Sequence, residues 1–209
     1  MEMDKKEIRT FNFEVRAEED EEHGHFLSGQ PIVFGQRTDL GWYDEIIAPG
    51  ALDKTDLKDV RFLVNHNTDM IPLARSRRNN KNSTMQMTVV PDTGMFIRVD
   101  LDTENNSDAR NLYSAVQRGD IDGMSFMFIV DEDSWEDEKT DHPVRTVRSI
   151  KRVLELSAVT FPAYSQTFIQ ARGLSEALDG AKESLESAKA KAEAVERQKQ
   201  RIRMLTEVL

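Results

Sequence analysis

Along the first half of the chain, apolar and polar residues alternate with the two-residue period of half-buried strands. From Phe11 to Arg16 the apolar side falls on Phe11, Phe13 and Val15. The acidic run Glu18 to Glu22 reads as a turn, and His25 to Phe34 as the returning strand of a hairpin. Trp42 to Ile47 is another short strand, stopped by Ala48-Pro49-Gly50, after which Ala51 to Leu57 is expected to form one or two helical turns. A buried strand then runs through Phe62, Leu63 and Val64 and ends in Asn65-His66-Asn67. Ile71 to Ala74, Thr84 to Val90 and Gly94 to Leu101 continue the strand pattern, with Pro91-Asp-Thr-Gly94 as a turn between the last two.

The period changes at Asn105. Leu112, Ala115 and Val116 share one helical face, Ser107 is placed to cap the helix, Asp108 suits its first turn, and Arg118-Gly119 closes it. The helix delivers the chain into Gly119-Asp-Ile-Asp-Gly-Met-Ser-Phe-Met-Phe-Ile-Val130, a tight turn followed by a strongly apolar strand from Met124. Asp131 to His142 is acidic and poor in apolar residues apart from Trp135, and is expected to be a mobile loop. Two further strands are expected over Val144 to Ile150 and Val153 to Thr160. From Leu174 the pattern is different again. Leu174, Leu178, Ala181, Leu185, Ala188, Ala192 and Val195 recur at alternating spacings of four and three, Lys199 interrupts the row, and Ile202 resumes it. That is a long helix with a narrow, alanine-rich heptad stripe. A stripe so poor in buried area is expected to be ordered by a partner. The pattern predicts an α+β, mostly β body over residues 1–172 and a separate helical tail over 173–209, suited to pairing with a partner or with itself.

Composition narrows the function. With 209 residues, one domain and an appendage are affordable in core terms. A net charge of −10 and a pI near 5.0 argue against a protein that grips nucleic acid, and the one basic cluster, Arg75 to Arg78 with Lys81, reads as a solvated loop. No apolar run is long enough for a membrane span, and the first residues lack the apolar core of a secretory signal. The absence of cysteine excludes a disulfide framework, a thiolate nucleophile and a cysteine-held metal, and fits the cytoplasm.

Three residues stand out against these patterns. Ser125 is a small hydroxyl at the mouth of an apolar strand, two residues after Gly123. His66 closes a buried strand between two small amides, where a rigid element can aim it. Glu155 lies between Leu154 and Leu156 in an otherwise apolar strand, where a carboxylate is costly unless paired. Each has a plainer alternative: a strand-end serine bonded to its own backbone, a satisfied surface or core histidine, and a glutamate facing solvent from an edge strand. Together they supply a nucleophile, a base and a group to orient the base. There is no Gly-x-Ser-x-Gly elbow, and spacing alone does not select these three.

Four segments carry a resemblance. Ile47-Ala-Pro-Gly-Ala51, Leu63-Val-Asn-His-Asn67, Arg118-Gly-Asp-Ile-Asp-Gly-Met-Ser-Phe-Met-Phe128 and Leu154-Glu-Leu-Ser-Ala-Val-Thr-Phe-Pro-Ala-Tyr164 stand in order across residues 11–170. In these the sequence resembles the tailed-phage prohead proteases, capsid maturation enzymes whose fold is similar to herpesvirus assemblin. The resemblance implies a small antiparallel β-barrel with surrounding helices. It implies His66 as base, Ser125 as nucleophile and Glu155 as third member, where the herpesvirus enzymes use a second histidine. It further implies peptide hydrolysis through an acyl-enzyme without metal or organic cofactor. The expected partners and substrates are the phage scaffold, or the scaffold-like segment of the capsid protein, inside an assembling prohead in the host cytoplasm, and the chain itself. A scaffolding or assembly protein that works through its helical tail is the alternative, and a non-viral hydrolase of small esters a more distant one.

Overall fold

The computed structural model describes residues 5–11, 15–21, 24–78, 82–160 and 174–206. In chain order the strands are β1 (Lys6–Phe11), β2 (Arg16–Asp20), β3 (Gly24–Val33), β4 (Arg37–Asp39), β5 (Asp44–Ile47), β6 (Asp59–Val64), β7 (Ala74–Arg77), β8 (Met85–Val90) and β9 (Gly94–Asp100). Helix α1 (Ser107–Gln117) follows, then β10 (Gly123–Glu136), β11 (Val144–Val159) and helix α2 (Leu174–Thr206).

β11 is the spine of the larger sheet. Its 16 residues pair antiparallel with β10 along one edge. On the other edge they pair in parallel first with β5 and then with β6. β1 lies outside β10, β4 outside β5 and β7 outside β6. A second sheet runs β2-β3-β9-β8, antiparallel throughout. Leu27, Ile32, Met95 and Val99 of this sheet meet Phe62, Met124, Phe126, Phe128, Val153 and Leu156 of the first in one buried core. Residues alternate faces along a strand. With Met124 and Phe126 in the core, Ser125 between them is directed to the opposite face, and Leu156 and Ala158 place Glu155 and Ser157 there too.

Helix α1 closes the core with Ala109, Leu112 and Val116. Its N-cap is Asn106 rather than Ser107: the Asn106 carboxamide oxygen accepts from the amides of Asp108 at 2.9 Å and Ala109 at 3.3 Å. Gly119, with φ of 75°, ends it in a Schellman turn, donating to the Val116 carbonyl while Asp120 donates to that of Ala115.

Several expectations are corrected. No closed barrel is found among the described residues. β1, β4 and β7 are edge strands of the first sheet and β2 and β8 of the second, so each ladder stays open. The supposed acidic loop from Asp131 is strand to Glu136, and the two pieces after Pro143 are one strand, because β10 and β11 pair across both. Register shifts between Met127 and Asp133 bend that ladder. Ala51 to Thr55 forms turns rather than an α-helix. The alternation from Phe11 to Arg16 crosses residues 12–14, which lie outside the described ones; β1 ends at Phe11 and β2 begins at Arg16. Helix α2 is present, and part of it packs on the body. Ala181 is fully buried, Leu185 is buried beside it, and the Trp135 indole donates to Ser184 Oγ at 3.0 Å. Further along, Val195 and Ile202 are exposed.

The N-terminal strand is held by charge. Arg9 and Arg145, both buried, share the buried carboxylates of Glu7 and Glu45, and Arg145 also bonds Asp133 at 2.6 Å. The Tyr43 hydroxyl accepts from Arg9 at 3.0 Å. Burial works against the Glu7 charge, but Arg145 and Arg9 together hold its carboxyl below the ordinary range. Burial also opposes both guanidinium charges, and the surrounding carboxylates outweigh it and hold Arg9 and Arg145 protonated.

Candidate active site

His66 is aimed by an unusual turn. Where β6 ends, Asn65 and His66 take successive left-handed conformations, with φ of 51° and 57°. This region costs a non-glycine residue about 1–2 kcal/mol, least for asparagine. The surroundings hold it there. The Asn65 amide donates to the Ala158 carbonyl at 2.9 Å, and its side-chain oxygen accepts the Thr160 amide at 2.9 Å. The His66 amide donates to Ser157 Oγ at 3.2 Å, and the Asn67 amide to the Val64 carbonyl at 3.1 Å. The turn therefore throws the imidazole back over the end of β11 rather than on along β6.

The structure brings all three singled-out residues together. His66 Nδ1 is hydrogen-bonded to Glu155 Oε1, and Nε2 lies 2.6 Å from Ser125 Oγ. Glu155 is buried, with a relative exposure of 3%, and so is not the solvent-facing glutamate of an edge strand. A carboxylate on Nδ1 selects the tautomer that leaves Nε2 free to accept a proton from the serine. Ser125 is not merely satisfied by its own strand either. Its hydroxyl has three neighbours at hydrogen-bond distance: His66 Nε2, Thr10 Oγ1 at 2.8 Å and the Arg9 carbonyl oxygen at 2.8 Å. A hydroxyl has one proton to give. Arg9 of β1 and His66 thus compete for the same hydrogen, and Ser125 is fully buried beneath them.

Sequence reasoning missed two contributors. Thr10 stands opposite Ser125 in the β1–β10 ladder, and Ser157 opposite it in the β10–β11 ladder, so a polar row crosses three strands. Thr10 lay in a segment whose pattern was not read as strand. Ser157 was visible only as part of the apolar run after Glu155.

Among the described residues, Asp39, Asp44 and His142 approach one another closely enough to suggest a cation site. Arg37 already bonds Asp44 at 2.5 Å and His142 Nε2 lies 3.0 Å from it, so the carboxylate's charge is answered by side chains.

Residues 11–180 match the caudovirus prohead serine protease family. The prohead protease of Enterobacteria phage HK97 is 28% identical over 170 residues, which cover 78% of this chain and 68% of that protein. Among solved structures, the bacteriophage T4 capsid assembly protease aligns with a TM-score of 0.39 at 12% identity, over 73% of this chain and 98% of that one.

Proposed function

The chain belongs to the caudovirus prohead serine protease family and is a serine peptidase, and we propose that Ser125 is its nucleophile, His66 its general base and Glu155 the carboxylate that orients the base. The observation that carries this reading is the His66 ring, bonded through one nitrogen to Glu155 and through the other to Ser125. Ser125 Oγ attacks the scissile carbonyl carbon as Nε2 takes its proton, and Glu155 stabilises the imidazolium that forms. The same proton then passes to the leaving amine, giving an acyl-enzyme that water, activated by His66, hydrolyses. Because Ser125 is fully buried, a substrate carbonyl reaches Oγ only after the groups over it move.

The family and the relative's name as a prohead protease support the reading of the substrate class. Capsid or scaffold protein inside the assembling prohead is the substrate, and the chain itself a second one. The exposed part of α2 beyond Leu185 is the segment free to dock on scaffold. The test is to incubate the full chain with the capsid and scaffold proteins of its own phage and read fragment masses. Wild type releases fragments and Ser125→Ala releases none, since losing the nucleophile removes about a millionfold of rate in comparable triads. Equal fragment release by both proteins would refute the assignment.

A further inference from the structure

We propose that Ser157 is a positioning residue that locks the carboxylate and the backbone of the base into one unit. The inference rests on the assignment of Ser125, His66 and Glu155 above.

Ser157 is fully buried and sits two residues after Glu155 on the same face of β11, directly across the ladder from Ser125. Its hydroxyl has no freedom in how it bonds. The His66 amide, 3.2 Å away, is able only to donate, so Ser157 Oγ accepts. Glu155 Oε2, 2.6 Å away, accepts as a carboxylate, so the one Ser157 hydrogen goes there. Both oxygens of Glu155 are then engaged, Oε1 by the imidazole and Oε2 by Ser157. A carboxylate held at one oxygen rotates over a broad torsional range, whereas one held at both has its plane set.

The second half of the lock is on the backbone. His66 occupies the left-handed region, and its amide is tied to Ser157. The same hydroxyl therefore fixes where the imidazole originates and where the carboxylate that steers it lies. Without it, either can shift by a fraction of an ångström while Ser125 stays in place, and proton transfer is sensitive to such misplacement.

The test is phosphorylation of the full chain by diisopropyl fluorophosphate. In that reaction Ser125 Oγ bonds to phosphorus, the P–F bond breaks, fluoride leaves and His66 takes the hydroxyl proton. Ser157→Ala should lower the limiting rate by roughly ten- to a hundredfold, the range for an outer partner that orients a functional side chain, with the half-saturating probe concentration unchanged. Ser157→Thr keeps the hydroxyl and should restore most of the rate. In a Glu155→Gln background, Ser157→Ala should cost several-fold less than in the wild type, because the carboxylate it positions is already gone and only its hold on the His66 amide is left to lose. Wild-type labelling of Ser157→Ala overturns the proposal, and so do fully additive losses in the cycle or a fall that merely tracks the melting temperature. If the threonine methyl prevents folding, the cycle alone decides. Labelling that persists in Ser125→Ala overturns the underlying assignment instead, so the two failures are distinguishable.

Discussion

Replacing Arg145 by methionine tests how β1, the strand beside Ser125, is held. The Arg145 guanidinium forks onto Glu7, at 2.6 Å to Oε2 and 2.9 Å to Oε1, and reaches Glu45 Oε2 at 3.1 Å and Asp133 Oδ2 at 2.6 Å. With Arg9, it balances three carboxylates with two cations. Arg145→Met leaves Glu7 and Glu45, each about 3% exposed, sharing Arg9 alone. Breaking a buried pair by removing one partner costs about 3–5 kcal/mol. Total stabilities of about 5–15 kcal/mol make that a large fraction. For a chain of this size the melting temperature should fall by about 6–20 °C. The measurement is urea unfolding with thermal melting at neutral pH. A second arm isolates the cause: Glu7→Gln/Arg145→Met should be more stable than Arg145→Met, since it removes the stranded charge. Acid titration gives a third. Glu7 is held below its ordinary 4.5 in the folded chain. The stability tied to its charge is therefore full above about 4.5 and is lost as pH falls through the lower folded value. In Arg145→Met that acid-side loss should shrink. A cost under about 1 kcal/mol, or a double variant as weak as the sum of the singles, would show that the cluster does not hold β1 in this way.

Other expectations are as direct. His66→Ala should abolish fluorophosphate labelling about as completely as Ser125→Ala, while Glu155→Gln, which disturbs orientation only, should lose roughly a hundredfold less; full activity of Glu155→Gln would move the third role elsewhere. Gly94→Ala should fail to fold or lose more than about 3 kcal/mol, because φ is 137° and an added Cβ would stand 1.9 Å from the Ile32 carbonyl oxygen; a soluble variant with wild-type melting refutes that geometry. Gly180→Ala would place a methyl 2.9 Å from Glu7 Oε1 of a carboxylate that Arg145 grips at both oxygens and Arg9 at Oε2, so faster amide exchange at Ala181 to Leu185 is expected, with exchange beyond Lys189 unchanged. Cutting the chain after Lys189 should leave labelling of Ser125 intact and reduce copies packaged per prohead; sedimentation of the two forms shows whether the removed segment pairs with itself.

Local pattern was enough for much of this protein. The strand pattern marked β8 and β9 around Met87 and Ile97, continuous apolar runs marked the strands around Phe62 and Phe126, and the 3.6-residue period with Gly119 marked α1. Those signals are local because each residue's preference is set by its own neighbours and by the face it turns to the core. The three proposed site residues stood out from the pattern, a hydroxyl and a carboxylate in apolar strands and an imidazole at a strand end, but it was the resemblance that selected them. That they meet was not legible: His66 lies 59 residues from Ser125 and 89 from Glu155. Only pairing of β6 and β10 with β11, and a left-handed turn at Asn65 and His66, decided it. The charged end of β10, Asp131 to Glu136, was misread as loop for the same reason. Arg145 and Asp133 look like solvated residues until Glu7, 138 positions away from Arg145, supplies the partner that makes their burial affordable in energy. Periodicity carries no information about a partner so distant in the chain, and the cost of burying a charge is settled only where that partner arrives.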